Sequence, residues 1–271
     1  MSPRPPAGST RGHSNASSGD EPPLAEQLRD ALRENALALH YQPIVAADHT
    51  LLAAEALLRW PHPTRGLLGP DTILACAHQS DLEVVLDQWV LHTAAREAAS
   101  WPATPHQAVS LSVNLSALTP GHPELTGTVA AALAESGLPG DQLILELVED
   151  SLPTPLPQAR QGMQHLGNAG IRWALDDFGT GYSNLARLKN LPFDVLKLDR
   201  SLTTDLTRPT DTALVQAATT MAGALDCVVI AEGIETQAQL DQLYELGIRG
   251  YQGWLFAPAL PAHELHDLFP T

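Results

Sequence analysis

Three short apolar stretches decide the fold of this chain: IRWALDDF at residues 171–178, VLKLDR at 195–200 and CVVIAEGIE at 227–235. Each is short and largely apolar, and each carries charged residues at or near its end. An amphipathic stretch from Thr212 to Leu225 lies between the last two and ends before Asp226, a helix-stop residue. Apolar strands separated by helices are typical of a parallel sheet covered on both faces, so these stretches predict an α/β fold.

Five further stretches have the same strand-like character, which makes eight predicted strands. They are ALALHYQPIV (36–45), LLAAEALLRW (51–60), VSLSVNLS (109–116), QLILELVE (142–149) and GYQGWLF (250–256). Further helices are predicted from Pro22 or Pro23 to about Glu34 and over 82–100, 123–136 and 237–246, the last two with Gly137 and Gly247 as stops. Eight strands favour a TIM-like (β/α)8 barrel over an open sheet.

The first strand is predicted to run antiparallel to the rest. Only the short link Ala46–Thr50 joins it to the second strand, and Asp48 can turn that link. A link this short can join antiparallel strands, whereas parallel strands need a longer crossover.

Composition limits the domain organisation and the partners. The chain has 271 residues, 44% of them hydrophobic, and a formal net charge of −16. This predicts one domain over 24–271, preceded by a Pro-, Gly- and Ser-rich disordered tail over 1–23. The acidic balance argues against binding to a DNA or RNA duplex, and no apolar stretch is long enough to span a membrane. We therefore expect a cytoplasmic protein, in which bound cations would be needed to hold an anionic substrate.

Polar residues recur at the ends of the predicted strands. They are Glu55, Asn114, Glu146, Glu149, Asp176, Asp177, Lys197, Asp199, Glu232, Glu235 and Gln252. Any one of them alone is more easily explained as a satisfied polar group in a layered barrel. Together they are predicted to converge on the C-terminal mouth of the barrel, where catalysis takes place in this architecture.

Such a group of carboxylates predicts a metal site. Close like charges raise each other's pKa, so some carboxyl groups must hold protons or be neutralised by metal ions. Carboxylate and amide oxygens without Cys or His suit Mg²⁺ or Mn²⁺, and the adjacent Asp176 and Asp177 allow one carboxylate to bridge two ions. Two such ions are typical of phosphodiester hydrolysis. Lys197 is interpreted either as a required point charge or as an amine that merely pairs with the acids.

The segment DDFGTGYSNL (176–185) is interpreted either as a rigid turn or as a mobile loop that presents Asp177 to metal and substrate. Glu149 could accept hydrogen bonds from this segment.

Eight motifs in order resemble the EAL-domain family of cyclic di-GMP phosphodiesterases, from about Leu37 to the end of the chain. They are YQPI (41–44), EALLRW (55–60, with the naming tripeptide at 55–57), VNLS (113–116), ELVED (146–150), DDFGTGYSNL (176–185), LKLDRS (196–201), AEGIE (231–235) and YQGWLF (251–256).

This resemblance implies two metal ions and the hydrolysis of cyclic di-GMP to linear pGpG by metal-activated water that attacks in line. The implied ligands are Glu55, Asn114, Glu146 and Asp176 for the first ion, and Asp176, Asp177 and Glu232 for the second. The implied catalytic residues are Glu232 as general base, Lys197 in contact with the nucleophilic water or a metal-bound oxygen, and Asp177. The implied substrate contacts are Gln42, Arg59 and Gln252, with Glu149 steadying the loop after the strand at 171–178 and Glu235 as a supporting acid.

One departure from the family pattern bears on the activity. The family usually has a small residue, then Arg or Lys, then Pro after Phe256, where this chain has Ala257, Pro258 and Ala259. The loss of that basic residue predicts weaker substrate affinity. The alternative to an active enzyme is therefore an EAL domain that binds cyclic di-GMP or docks a partner with little or no hydrolysis. The resemblance also implies a homodimer.

Overall fold

The computed structural model describes residues 22–101, 108–151, 155–180, 188–265 and 268. Residues 1–21 of the predicted tail lie outside the described residues. The helices are α1 (Leu24–Arg33), α2 (Pro70–Gln79), α3 (Glu83–Ala98), α4 (Leu125–Ser136), α5 (Leu156–Gly167), α6 (Arg200–Thr203), α7 (Pro209–Ala224), α8 (Gln237–Glu245) and α9 (Ala262–Leu265). The strands are β1 (Ala38–Val45), β2 (Leu51–His62), β3 (Gly66–Leu68), β4 (Ser110–Asn114), β5 (Leu143–Val148), β6 (Arg172–Phe178), β7 (Val195–Leu198), β8 (Val228–Ala231), β9 (Gly250–Gln252) and β10 (Leu260–Pro261).

Eight strands close into a barrel in the order β1-β2-β4-β5-β6-β7-β8-β9, and β9 pairs back with β1. Strand β1 is antiparallel to both of its barrel neighbours, whereas the pairs from β2–β4 to β8–β9 are parallel. The predicted barrel and its antiparallel first strand are therefore confirmed. The short strands β3 and β10 are not predicted from the sequence; they pair antiparallel with β2 and β1.

The link between β1 and β2 is a tight turn, as its length predicts. The amide of Ala46 donates to the carbonyl of Thr50 at 2.8 Å, and the amide of Thr50 donates to the Asp48 carboxylate at 3.0 Å. His49 adopts a positive φ of 67°. An aspartate that binds a backbone amide two residues on is a common way to stabilise such a turn.

The three predicted helix stops are confirmed by the backbone. Gly137, Asp226 and Gly247 have φ values of 76°, 56° and 92°, and they follow α4, α7 and α8. A left-handed residue after the last helical turn ends a helix, and Gly and Asp tolerate that conformation better than most residues.

The barrel interior has an apolar layer directly below its polar layer. Ile44, Ala53, Ile144, Ala174, Val195 and Ile230 form a buried cluster separate from the core between the barrel and its helices. Side chains of a strand return to the same face every second residue. The positions two residues further along β2, β5, β6 and β7, and the position directly after β8, therefore also face the interior. They are Glu55, Glu146, Asp176, Lys197 and Glu232. The strand period alone brings these charged groups together.

Within the described residues, no helix has the length and apolar character needed to cross a membrane.

Candidate active site

The Lys197 ammonium lies at the centre of the polar layer. Its Nζ atom lies 3.1 Å from Glu55 Oε2, 2.8 Å from Glu146 Oε2, 3.1 Å from Asp176 Oδ1 and 2.7 Å from Glu232 Oε1. Lys197 and Glu146 are each only 1% exposed. A single buried cation is therefore surrounded by carboxylates from β2, β5, β6 and the end of β8.

These charges do not balance. An ammonium has three N–H donors, which cannot serve four carboxylates. Asp176 Oδ1 is buried and accepts no hydrogen bond from the described residues, despite its distance of 3.1 Å from Lys197 Nζ. A buried charge is costly unless it is paired and hydrogen-bonded, so the arrangement calls for additional positive charge.

Neutral side chains orient two of the carboxylates. Asn114 Nδ2 donates to Glu55 Oε1 at 2.6 Å, and Gln252 Nε2 donates to Glu55 Oε2 at 2.8 Å. The Ser112 hydroxyl donates to Glu146 Oε1. Hydrogen bonds to a carboxylate restrict its rotation, so both acids are held in place before any ligand arrives.

Gln252 also links the acids to the first strand. Its Nε2 atom lies 3.2 Å from Gln42 Oε1, and Gln42 Nε2 donates to the Ala257 carbonyl at 3.4 Å. Gln252 Oε1 is buried and accepts no hydrogen bond from the described residues. The two predicted substrate contacts Gln42 and Gln252 therefore lie together at the mouth.

Burial and repulsion between neighbouring carboxylates raise the pKa values of three of the acids. Burial, with the neighbouring Glu55 charge, raises the pKa of Glu146 well above its usual value. Burial also raises the pKa of Glu232, to about 8, although Lys197 opposes this shift. The pKa of Asp177 is raised by burial and by the charge of Asp176. At a pKa of about 8, Glu232 holds a proton at neutral pH in the ion-free protein, and the shifts of Glu146 and Asp177 favour protonation in the same direction.

Lys197 and the four carboxylates around it, Glu55, Glu146, Asp176 and Glu232, form the acid ring. In two members of this ring, the pKa shift favours the charged form. Burial alone would raise the pKa of Glu55, but the Lys197 charge and the hydrogen bonds from Gln252 and Asn114 hold it below its usual value. Burial alone would lower the pKa of Lys197, but the surrounding carboxylates raise it well above its usual value. Lys197 is therefore a permanent cation in the folded protein.

The acids form two overlapping groups with the spacing of metal ligands. In one, carboxylate oxygens of Glu55, Glu146 and Asp176 all lie within 4.8 Å of one another; in the other, those of Asp176, Asp177 and Glu232 do. Asp176 belongs to both groups and carries the oxygen without a hydrogen bond. An all-oxygen donor set of this kind fits hard divalent cations.

Two residues with a left-handed backbone conformation, Asp177 near the end of β6 and Gly233 just after β8, lie beside the acids. Asp177 has a φ of 56°, a left-handed conformation that costs an L residue about 1 kcal/mol or more. Gly233, directly after Glu232, has a φ of 67°, and a Cβ atom there would overlap that of Arg200. The chain can therefore place Glu232 beside α6 only with glycine at 233.

A cavity of about 280 Å³ opens over the acids, lined by Gln42, Glu55, Asp176, Arg200, Glu232, Glu235, Gln252 and Trp254, among others. Arg200 and Trp254 are not predicted as site residues. Both stand in motifs quoted above, and Trp254 is 73% exposed. The signals available in the sequence were a cation directly after a strand end and a Trp two residues after a motif glutamine.

A larger cavity, of about 590 Å³, opens at the opposite end of the barrel. Ala53, Ile144, Val195 and Ile230 of the apolar layer form part of its lining. Because barrels of this type carry catalytic groups at the C-terminal ends of their strands, we assign the site to the smaller, acid-lined cavity.

The remaining predicted residues lie around this centre. Arg59 lies further along β2, and its Nη1 donates to the Leu58 carbonyl at 2.9 Å. Glu235 follows β8 and lines the cavity. Glu149 lies in a short 3₁₀ turn after β5. Residues 181–187, the loop it is predicted to bind, lie outside the described residues.

Residues 25–259 match the family model described as "EAL domain". The chain is 42% identical over 246 residues to cyclic di-GMP phosphodiesterase NbdA of Pseudomonas aeruginosa, covering 90% of this chain and 31% of NbdA. It is 37% identical over 253 residues to the bifunctional diguanylate cyclase/cyclic di-GMP phosphodiesterase MucR of the same organism, covering 93% of this chain and 37% of MucR. The chain thus spans about a third of the length of these two relatives.

The structure described as "PaMucR Phosphodiesterase, c-di-GMP complex" has the same fold, with a TM-score of 0.82 at 38% identity. The match covers 89% of this chain and 99% of that one.

Proposed function

The chain belongs to the EAL domain family, and we propose that it is a metal-dependent phosphodiesterase that hydrolyses cyclic di-GMP to linear pGpG. The observation that carries this proposal is that two sets of three acids, both of which include Asp176, lie at the barrel mouth with the spacing of metal ligands. The names of the relatives NbdA and MucR support the same substrate.

The donor set supports two ions, Mg²⁺ or Mn²⁺. Glu55, Asn114, Glu146 and Asp176 would hold the first, and Asp176, Asp177 and Glu232 the second. When bound, the two ions supply the Lewis acidity that generates a nucleophile from water and stabilises the attacking and leaving oxygens of a phosphodiester. They also supply the missing positive charge, since the two groups contain five acids, four of them in contact with the one buried ammonium. An anionic substrate could otherwise not approach.

Glu232 is the proposed general base. Among the four carboxylates in direct contact with Lys197, it is the most exposed, at 19% of its side chain. Its pKa of about 8 without ions gives its carboxylate a high affinity for a proton from water. Lys197 holds the Glu232 carboxylate 2.7 Å from its ammonium and so orients it towards the cavity.

Substrate contacts are proposed at Gln42, Arg59 and Gln252. Gln42 and Gln252 offer amide donors and acceptors at the cavity wall, and an arginine can bind two phosphate oxygens through its planar fork. Glu149 is proposed to steady the loop that follows β6, and Glu235 to support the second group of acids. A homodimer is also proposed; light scattering that shows only a monomer at micromolar concentration would contradict it.

One observation favours a second function, a cyclic di-GMP receptor without turnover. Pro258 occupies the place of the family's usual basic residue and is exposed, so this chain lacks one cation that the family offers to the substrate. All the acids of both groups are present, however, and an inactive receptor has no need of them. We therefore favour hydrolysis.

A time course with purified protein, cyclic di-GMP and Mn²⁺, read by chromatography, tests the proposal. We expect pGpG from the wild type and none from Glu232→Ala, with binding retained when Ca²⁺ replaces Mn²⁺. Tight binding in Ca²⁺ without product in Mn²⁺ would favour the receptor instead. Neither binding nor product would contradict both functions.

A further inference from the structure

A buried aspartate outside the acid ring holds the loop that follows β4. Asp87 lies on α3 and is 4% exposed. Its Oδ2 atom accepts hydrogen bonds from the backbone amides of Ser116 at 3.0 Å, Ala117 at 2.8 Å and Leu118 at 2.8 Å. Its Oδ1 atom accepts from the Ser116 hydroxyl at 2.7 Å. One carboxylate therefore binds three consecutive amides and a side chain.

Three successive N–H groups that point to one spot form a concave site for an anion. Here the anion is a side chain of the same protein, delivered from a helix. Hydrogen bonds from N–H groups to a carboxylate are stronger than those between neutral groups, and a buried carboxylate without them would be costly. The α3 helix and the 116–118 loop therefore hold each other in a single arrangement.

Only Leu115 separates this loop from Asn114, which is the only uncharged side chain among the proposed metal ligands. Between them, the amide of Leu115 donates to the Glu146 carbonyl at 3.1 Å. Asn114 is thus followed by four consecutive residues whose amides are all fixed, one by β5 and three by Asp87. The Asn114 side chain in turn donates to Glu55 at 2.6 Å.

We infer that Asp87 is a positioning residue for the first metal site, which it serves by anchoring the loop that orients Asn114. The inference rests on the proposed function. It also accounts for Ser116, the last residue of the VNLS motif, which lies outside the acid ring but contributes a hydroxyl to Asp87. A carboxamide ligand has no charge to draw it to a cation, so its affinity depends on prior orientation more than that of a carboxylate does.

The test compares Asp87→Ala and Asp87→Asn with the wild type. Asparagine can keep an acceptor oxygen at the place of Oδ2 and turn its NH₂ group to the Ser116 hydroxyl, which can accept. Val90→Ala, a buried change on the same helix, serves as a control for general loss of stability. Mn²⁺ affinity is measured by calorimetry without substrate, and protection of the 115–118 amides by hydrogen exchange.

We expect Asp87→Ala to weaken Mn²⁺ binding about 10–100-fold, the usual effect of losing a partner that orients a ligand, with faster exchange at 116–118. Asp87→Asn should recover most of the affinity, and Val90→Ala should keep wild-type affinity despite a lower melting temperature. Wild-type Mn²⁺ affinity in Asp87→Ala, or an equal loss in Val90→Ala, would overturn the inference. A wild type that binds no Mn²⁺ would instead contradict the proposed function on which it rests.

Discussion

Replacing Lys197 with methionine should destabilise the ion-free protein strongly, and more so at high pH. The change keeps the volume of the side chain but removes the one cation that faces Glu55, Glu146, Asp176 and Glu232 at 2.7–3.1 Å. Removal of one partner from a buried ion pair usually costs about 3–5 kcal/mol, because the other charge is left buried and unpaired. Since a domain is stable by only about 5–15 kcal/mol, this loss would be a large fraction of the total.

The pH dependence follows from the directions of the pKa shifts. The pKa of Lys197 is raised, so its stabilising contribution is complete below its unfolded pKa and is lost only above its folded one. The pKa values of Glu146 and Glu232 are also raised, so these acids take up protons as the pH falls and no longer need a cation. The cost of Lys197→Met should therefore be larger at pH 8.5 than at pH 5.

The assay is thermal unfolding in EDTA at the two pH values. A loss of 3–5 kcal/mol corresponds to a fall in melting temperature of about 6–20 °C for a domain of this size. Lys189→Met is the matched control, because Lys189 is the other lysine of the chain and is exposed. It should change stability by no more than about 0.5 kcal/mol. Equal melting temperatures for Lys197→Met and Lys189→Met at pH 8.5 would show that Lys197 does not stabilise the surrounding carboxylates.

Three further predictions concern the metal, the mouth and the backbone. Because the pKa of Glu232 is raised to about 8, Mn²⁺ must displace protons to bind below that pH. The affinity for Mn²⁺ should therefore rise from pH 6 to pH 8.5, and calorimetry in two buffers should show proton release. An affinity that does not change with pH would contradict this prediction. Pro258→Arg should lower the KM for cyclic di-GMP several-fold with little change in kcat, since it restores a cation at an exposed position six residues after Gln252. An unchanged KM would show that this position does not contact substrate. Gly233→Ala should lower the unfolding free energy measured in urea by about 1–3 kcal/mol, because φ is +67° and Arg200 fills the space that a Cβ atom would need. The control is Gly223→Ala, at an open position of α7, which should not destabilise the protein.

The sequence predicts the barrel well because strand period and helix stops are local signals. All eight barrel strands lie where their apolar runs predict, and Gly137, Asp226 and Gly247 adopt the predicted left-handed conformations. The short strands β3 and β10, three and two residues long, have no period of their own and exist only by pairing with β2 and β1.

The site is predicted in outline for the same reason, but its supporting contacts are not. Alternation along each strand brings the acids to one interior, as the sequence indicates. That Ser112 reaches Glu146, or that Asp87 reaches the loop 29–31 residues away, depends on tertiary packing that no local pattern encodes. The two interpretations of Lys197 remain compatible, since it pairs with the acids and is also their only cation among the described contacts.

Counting bound Mn²⁺ and product in the same sample tests most directly whether the acid-lined mouth hydrolyses cyclic di-GMP with two ions. Metal-stripped protein is dialysed against Mn²⁺, the bound ions are counted per chain, and pGpG formation from cyclic di-GMP is then followed, with Asp177→Asn beside the wild type. Two ions per wild-type chain with pGpG formed, and a weakened second ion with little product in Asp177→Asn, are predicted. Undiminished hydrolysis by the metal-stripped protein in EDTA would contradict the account.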